Sequence, residues 1–380
     1  MIYLDNAATT FPKPRSVTAE VMNCMRFYCG NAGRSSHRLA AASAEKIYEC
    51  REMIARHFGS DHPENVCFSL NTTTALNLAI KGLLKEGDHV LISDMEHNAV
   101  FRPIAKLAAE GRITYDVFPT FVLDEHKSAA HICAAIAHLT RPNTKMLIAA
   151  HASNICSSHL PLHEIGTFCR KKGILFVVDA AQSAGHLPID VVKMKIDALC
   201  VPGHKGLLGP QGCGFVLWGE DVEADTMFEG GSGYHSLESK MPDELPERFE
   251  AGTLPTPAIA GLCEGLREVE QIGIEEIFAH ERKLNVYLHD MLSTVEEITI
   301  YAPYQGSVLL FNVGDIPSES IANELNKRGF CVRAGFHCAA IAHQTLKTPA
   351  HGAVRVSPGI YNTREDMEAF FFAVKEILHS

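Results

Sequence analysis

Between residues 66 and 205 the chain alternates short apolar runs with longer amphipathic ones. VCFSL (66–70) predicts a strand, and NTTTALNLAIKGLLKEG after it carries Leu76, Ala79, Ile80, Leu83 and Leu84 at helical spacing, with Gly87 as its stop. HVLIS (89–93) predicts the next strand, followed by a helix from about Asn98 to Ala109. MLIAAHAS (146–153) predicts another strand, and HEIGTFCRKKG (163–173) a short helix ending in the lysines and glycine that helix C-termini favour. ILFVVDAAQSAG and IDALCVPGHKG predict two further strands with their exits. Apolar runs that are continuous rather than alternating mean strands buried on both faces. Strand–helix alternation of this kind predicts an α/β fold with a mostly parallel central sheet flanked by helices. From 255 to 290 the pattern becomes helical and charged, and YQGSVLLFNVGD and GFCVRAGFHCA then predict strands of a second, smaller unit. The chain closes with a helix. Thr363 and Asp366 suit a capping box, and Met367, Phe370, Phe371, Val374, Ile377 and Leu378 form an apolar stripe that reads as packing surface.

Bulk properties narrow the function. At roughly 150 residues per domain, 380 residues suit a large domain with a smaller one, or a pair. The net charge of −11 is scattered, which argues against a partner held by phosphate attraction, so no nucleic acid is expected. The opening MIYLDNAATTFPKP lacks the basic and apolar segments of a secretory signal, and no run reaches the roughly 18 apolar residues of a membrane span; a cytoplasmic protein without a membrane partner is expected. The twelve cysteines include no C-x-x-C pair, and most sit in apolar runs, as Cys67 and Cys200 do, so they read as reduced core thiols. His159 and His163 are four apart but separated by Pro161, and no Cys/His cluster has zinc spacing, so no metal is expected.

Three features point to chemistry. Asp179 follows five apolar residues at a predicted strand end, where a carboxylate is costly unless it meets a positive group or caps a turn. NTTT (71–74) stands at a strand-to-helix junction, a ready anion site, or else ordinary capping by Thr72 or Thr73. Lys205 is the one amine in VPGHKGLLGP, and apolar surroundings lower an amine's pKa and make it a nucleophile toward carbonyls. A phosphate pocket, an acid for a pyridinium nitrogen and a Schiff-base lysine are together what pyridoxal 5'-phosphate (PLP) requires.

From YLDNAATT through NTTTALNLA, DMEHNA, HASNI, VDAAQSAGHLPID, PGHKGLLGPQGCG, RFEAGT and VRAGFHCA to VRVSPGIYNT, the chain resembles the class V aminotransferase family of PLP enzymes, and within it the cysteine desulfurases and selenocysteine lyases. The resemblance implies a fold type I PLP-dependent transferase. A large PLP-binding domain would span 15–255, and a smaller α+β domain would comprise 1–14 and 256–380 and carry the catalytic cysteine. It implies conversion of L-cysteine to L-alanine, with sulfur passing to an enzyme cysteine as a persulfide and on to an acceptor such as a protein. The alternatives are selenocysteine lyase activity on L-selenocysteine, or another class V reaction, transamination or β-elimination.

The same resemblance assigns Lys205 to the covalent bond with the cofactor and to removal of the substrate's α-proton, and Asp179 to the pyridine nitrogen. His97 would cover the ring and donate a proton, and Gln182 would meet the phenolic oxygen. Thr72, Thr73 and His204 would hold the phosphate, and Thr253 would reach the phosphate of a neighbouring subunit, which implies a homodimer. Asn154 and Arg355 would bind the substrate carboxylate, with Arg333 in the same substrate site. Cys338 matches the catalytic cysteine, and its neighbours Arg333, Gly335 and His337 make a polar, electropositive setting that favours thiolate. The chain also departs from the pattern. Pro202 stands where many relatives carry Ser or Thr, which removes one side-chain phosphate contact, and Asn98 stands where one desulfurase group has a second His. The opening DNAATT resembles one desulfurase group and HCA the other. Sixteen residues separate Cys338 from Arg355, so a short cysteine segment is expected, served by an acceptor that comes to the site or turning over selenocysteine in preference.

Overall fold

In the computed structural model, which describes residues 1–33, 37–124, 126–156, 158–220, 222–302 and 306–378, β1 (Ile2–Tyr3) is followed by two helices, α1 (Arg15–Phe27) and α2 (Arg38–His57). The strand–helix alternation then runs β2 (Val66–Ser69), α3 (Thr72–Leu83), β3 (His89–Ser93), α4 (Asn98–Ala109), β4 (Thr114–Phe118), α5 (Ala129–Leu139), β5 (Thr144–Ala150), α6 (Leu162–Lys172) and β6 (Leu175–Asp179). Strands β7 (Ala198–Pro202) and β8 (Gly214–Trp218) follow, then helices α7 (Thr256–Ile272) and α8 (Ile274–Leu292). The remainder is β9 (Ile298–Tyr301), β10 (Leu309–Val313), α9 (Ser318–Lys327), β11 (Phe330–Cys331), β12 (Arg333–Gly335), α10 (Ala340–Thr345), β13 (Ala353–Val356) and α11 (Arg364–Leu378).

Seven strands form one sheet in the order β2-β8-β7-β6-β5-β3-β4, with β8 antiparallel to both neighbours and the other pairs parallel. Alternate residues leave opposite faces. Leu147, Phe176 and Val178 enter the core beneath α2 and α6, while Met146, Ile148 and Val177 enter the core under α3 and α4. Each large apolar side chain buried this way contributes about 1.5–3 kcal/mol, and this two-faced burial is why the strands read as continuous apolar runs. Helix α7 adds Ile259, Leu262, Cys263 and Leu266 to the first of these cores.

A second, antiparallel sheet has the order β12-β13-β10-β9. Leu288 of α8, Leu325 of α9 and Phe370 and Val374 of α11 cover it, packing on Phe311 and Val354. At the start of α11, the Thr363 N–H donates to Asp366 Oδ2 at 3.1 Å and the Asp366 N–H donates to Thr363 Oγ1 at 3.3 Å, which is the reciprocal capping box expected there. Strand β1 pairs parallel with β11, and Asp5 forms a bridge with Ser357.

Several elements differ from the sequence expectation. Helix α3 ends at Leu83, and Gly87, at φ +84°, shapes the turn after it rather than stopping it. Strand β5 starts two residues earlier and ends at Ala150, because His151 to Asn154 already turn into the cleft described below. Helices α1, α2 and α5 and strands β4 and β8 were not among the expected elements. Tyr304 and Gln305 of the expected strand segment lie outside the described residues, as do the last two residues of the closing run. Cys67 and Cys200 are buried, and Cys29 and Cys338 are the exposed cysteines. No helix among the described residues is long and apolar enough to cross a membrane.

Candidate active site

A cleft opens at the C-terminal ends of β5, β6 and β7, against the N-termini of α3 and α4, the place where open α/β sheets bind ligands. Asp179 is the last residue of β6, in register with Ala150 on one side and Cys200 on the other, and is 4% exposed. Burial pushes its carboxyl upward; the Ala181 N–H, donating to Oδ1 at 2.9 Å, and the charge of Lys205 pull the other way.

Lys205 lines the same cleft on the loop after β7. Burial pushes its ammonium pKa down to about 8; Asp179 opposes the shift, and Arg355 and Arg333 add to it. An amine so placed is a competent nucleophile near neutrality. The loop is held by the N-terminal segment. The Thr9 hydroxyl, the Thr10 N–H and Lys13 Nζ donate to the His204 carbonyl at 3.1, 3.2 and 2.6 Å, and the Thr10 hydroxyl donates to the Lys205 carbonyl at 2.8 Å. Gly206 is required beside Lys205, since a Cβ there would lie 2.2 Å from the Ala184 carbonyl oxygen and 2.5 Å from the His186 ring.

Helix α3 supplies the anion end. Its cap is Asn71, whose Oδ1 accepts from the Thr74 N–H at 2.9 Å, and neither Thr72 nor Thr73 performs the ordinary capping considered for them. Both threonines line the cleft instead. The Thr72 hydroxyl oxygen is buried and has no hydrogen-bond partner among the described residues. An orphaned hydroxyl at a helix N-terminus, with His204 and Lys205 lining the same cleft, fits a phosphate. His204 is neutral, pushed down to about 4 by burial and then by Lys205 and Lys13.

His97 caps α4, its Nδ1 accepting from the Ala99 N–H at 3.0 Å, so the ring hydrogen sits on Nε2. Burial, then the positive charges of Lys205, Arg333 and Arg355, hold its pKa near 4, and it faces the cleft as a neutral imidazole. Gln182 lines the cleft and donates from Nε2 to the Ala7 carbonyl at 2.9 Å. Pro202 lines it too and brings no hydroxyl.

The small sheet supplies the rim. Arg333 of β12 and Arg355 of β13 are directly paired in register. Arg355 is 1% exposed; its Nη2 donates to Asp5 Oδ1 at 2.6 Å and its Nη1 to the Asn154 carbonyl at 3.0 Å, while Nε has no partner among the described residues. Asn154 Nδ2 donates to the His337 carbonyl at 2.9 Å. Cys338 is exposed, its carbonyl accepts from the Asn98 N–H at 2.7 Å, and its Sγ lies 3.6 Å from Arg333 Nη2. Thr253 is the one expected site residue that stands apart, exposed in the loop ahead of α7 and outside the cleft.

Sequence reasoning did not single out Asp5, Thr9, Thr10, Lys13, Asn71 or Glu96. Glu96 is fully buried, and its Oε1 accepts from the Ser93 hydroxyl and, at 2.8 Å, from the Ala150 N–H. Burial pushes its pKa up to about 8, so a neutral carboxyl fastens the turn before α4 to the end of β5. Its only signal was its place next to His97, which reads equally well as a surface turn.

Comparisons with known proteins agree on one family. A family model described as aminotransferase class-V matches residues 2–370. A probable cysteine desulfurase of Methanothermobacter thermautotrophicus is 32% identical over 386 residues, covering 99% of this chain and 94% of its own. One from Pyrococcus abyssi is 32% identical over 394 residues, covering 100% and 95%. Among solved structures, the apo structure of a cysteine desulfurase from Thermococcus onnurineus matches with a TM-score of 0.90 at 30% identity, covering 100% of this chain and 94% of that one.

Proposed function

Because the chain belongs to the class-V aminotransferase family, whose members are in general PLP-dependent enzymes, we propose that it is a PLP-dependent cysteine desulfurase, converting L-cysteine to L-alanine and carrying the sulfur on Cys338 to an acceptor. The observation that supports this most is the joint placement of Lys205 and Asp179 in one cleft, with Cys338 tied to its rim. When bound, PLP supplies an electron sink for the charge left on the substrate α-carbon. Asp179 would hold the proton of the pyridine nitrogen; Thr72, Thr73, His204 and the α3 N-terminus the phosphate; Gln182 the phenolic oxygen; and His97 the ring face.

The remaining roles belong to the chain's own side chains. Lys205 would carry the covalent attachment and, as a free amine, take the substrate's α-proton. Arg355 and Asn154, with Arg333 beside them, hold the substrate carboxylate, a planar anion that the Arg355 fork suits. The Cys338 thiolate attacks the substrate sulfur. An S–S bond forms as the Cβ–S bond breaks, and the breaking bond's electrons stay with the carbon fragment. The β-carbon takes a proton, for which the Nε2–H of His97 is the candidate donor, the α-carbon regains the proton held by Lys205, and alanine leaves. Sulfur is oxidised and carbon reduced, so no outside oxidant is needed.

The same reading assigns residues 15–255 to the cofactor unit and 1–14 with 256–380 to the unit bearing Cys338. It places the protein in the cytoplasm as a homodimer, with Thr253 reaching the phosphate of the partner subunit. Exposure of Thr253 in its own subunit supports that role.

The test is alanine release from L-cysteine by the PLP-loaded protein. Cys338→Ala is expected to lower it by at least about a hundredfold and to leave the visible absorption of the bound cofactor intact. Undiminished turnover by Cys338→Ala would remove the sulfur-transfer step. Pyruvate or a keto acid in place of alanine would move the assignment to β-elimination or transamination.

A further inference from the structure

Behind Cys338 lies a file of polar side chains that the reaction above does not use. His337 is 2% exposed and His343, on α10, 3%. Their rings lie nearly coplanar and meet edge to edge, with centroids 5.4 Å apart and planes 10° apart. The direction of hydrogen bonding is fixed from one end. His337 Nε2 lies 3.2 Å from the Arg333 carbonyl oxygen, which can only accept, so Nε2 carries the hydrogen. His337 Nδ1 must then accept from His343 Nε2, at 3.2 Å. His343 Nδ1 accepts in turn from the Thr348 hydroxyl at 2.8 Å. Both rings are neutral in this arrangement: burial, then Arg355, pushes His337 down to about 2, and burial pushes His343 down to about 4.

The file closes a turn that the backbone disfavours. His337 at φ +51° and Cys338 at φ +56° are successive non-glycine residues in the left-handed region, a strained conformation that persists only where the surroundings over-determine it. Here they do. The His337 ring folds back onto the Arg333 carbonyl. The His337 carbonyl is taken by Asn154 Nδ2, and that of Cys338 by the first N–H of α4. Gly352 packs so closely on Gly335 that a Cβ would lie 2.3 Å from its carbonyl oxygen. The His337 ring thus meets the backbone of the residue whose guanidinium lies beside Cys338 Sγ.

We propose that His337 and His343, ordered by Thr348, are positioning residues that hold the Cys338 thiol against the Arg333 guanidinium at the mouth of the cleft. His337 acts through the Arg333 carbonyl, and His343 acts through His337. The catalytic consequence rests on the reading of Cys338 as the sulfur carrier, whereas the effect on the thiol itself does not.

The experiment uses the full chain loaded with PLP and two variants. His343→Phe keeps a ring beside Phe336 and His337 but removes the Nε2 donor. His343→Gln restores an N–H near that position. One readout is the rate at which iodoacetamide labels Cys338 at neutral pH, followed by peptide mass spectrometry, which separates it from exposed Cys29. The other is kcat and KM for alanine release. His343→Phe is expected to slow labelling near neutral pH by roughly fivefold, as a thiol turned away from its cationic neighbour does, and to lower kcat. His343→Gln is expected to recover most of both. Thr348→Val decides the matter if His343→Phe does not fold, and should shift labelling in the same direction. Wild-type labelling by His343→Phe, or equal damage by Phe and Gln, overturns the proposal. Altered labelling in a protein whose wild type releases no alanine overturns the desulfurase reading alone.

Discussion

An amine in water keeps its proton until well above neutrality, and Lys205 does not, because its surroundings hold its pKa near 8. Below that value the group is an ammonium without a lone pair; above it the free amine attacks carbonyls. The rate at which the PLP-free protein captures added PLP covalently, read from visible absorption, should therefore climb with pH and level off above about 8. A continued climb beyond pH 10 would mean an ordinary lysine. Lys205 and Asp179 were readable in the sequence because each is a charge set in apolar or glycine-rich text, and Cys338 because its motif resembles a family. Asp5 was not. Its bond to Arg355 joins residues 350 positions apart, and no local pattern records such a pairing. Glu96 was missed for a related reason: its burial depends on β5 arriving beside it, which its own turn does not reveal.

Among the elements, α3 separates structural from ligand-binding roles most cleanly. Asn71 spends its side chain on the helix, whereas the Thr72 hydroxyl has no hydrogen-bond partner among the described residues. Asn71→Ala should cost about 1 kcal/mol and lower the Tm of the PLP-free protein by about 1–2 °C. Thr72→Ala should not lower that Tm, since the hydroxyl removed is unpartnered, but should loosen PLP by roughly three- to tenfold, the worth of one hydrogen bond, as equilibrium dialysis would show. Equal effects of both substitutions on Tm would contradict this division. Four cap-competent residues in a row, Asn71 to Thr74, leave the helix start undetermined by pattern alone. Helices α4, α6 and α11 were better marked, since a cap, a terminal glycine or a capping box bounds each. The direction of β8 was not marked at all: an apolar run buried on both faces looks the same read either way.

At the scale of the whole molecule, the large sheet provides the floor of the cleft and the small sheet its two arginines, one strand register placing Arg333 opposite Arg355. The α/β class followed from alternation in the text; strand order did not, because pairing depends on tertiary packing. Nor did the text disclose how the opening residues travel. They run from a strand pair with β11, past Arg355, to the carbonyls of His204 and Lys205. Neither the seven-stranded nor the four-stranded sheet includes this stretch. A preparation nicked by a protease just after Thr10, and freed of the released peptide, should thus come off a column pale, with far-ultraviolet circular dichroism close to that of intact material. Undiminished yellow in the clipped form would contradict this. Colour lost in storage would then be an early report of fraying at the front of the polypeptide, ahead of any collapse of the body behind it.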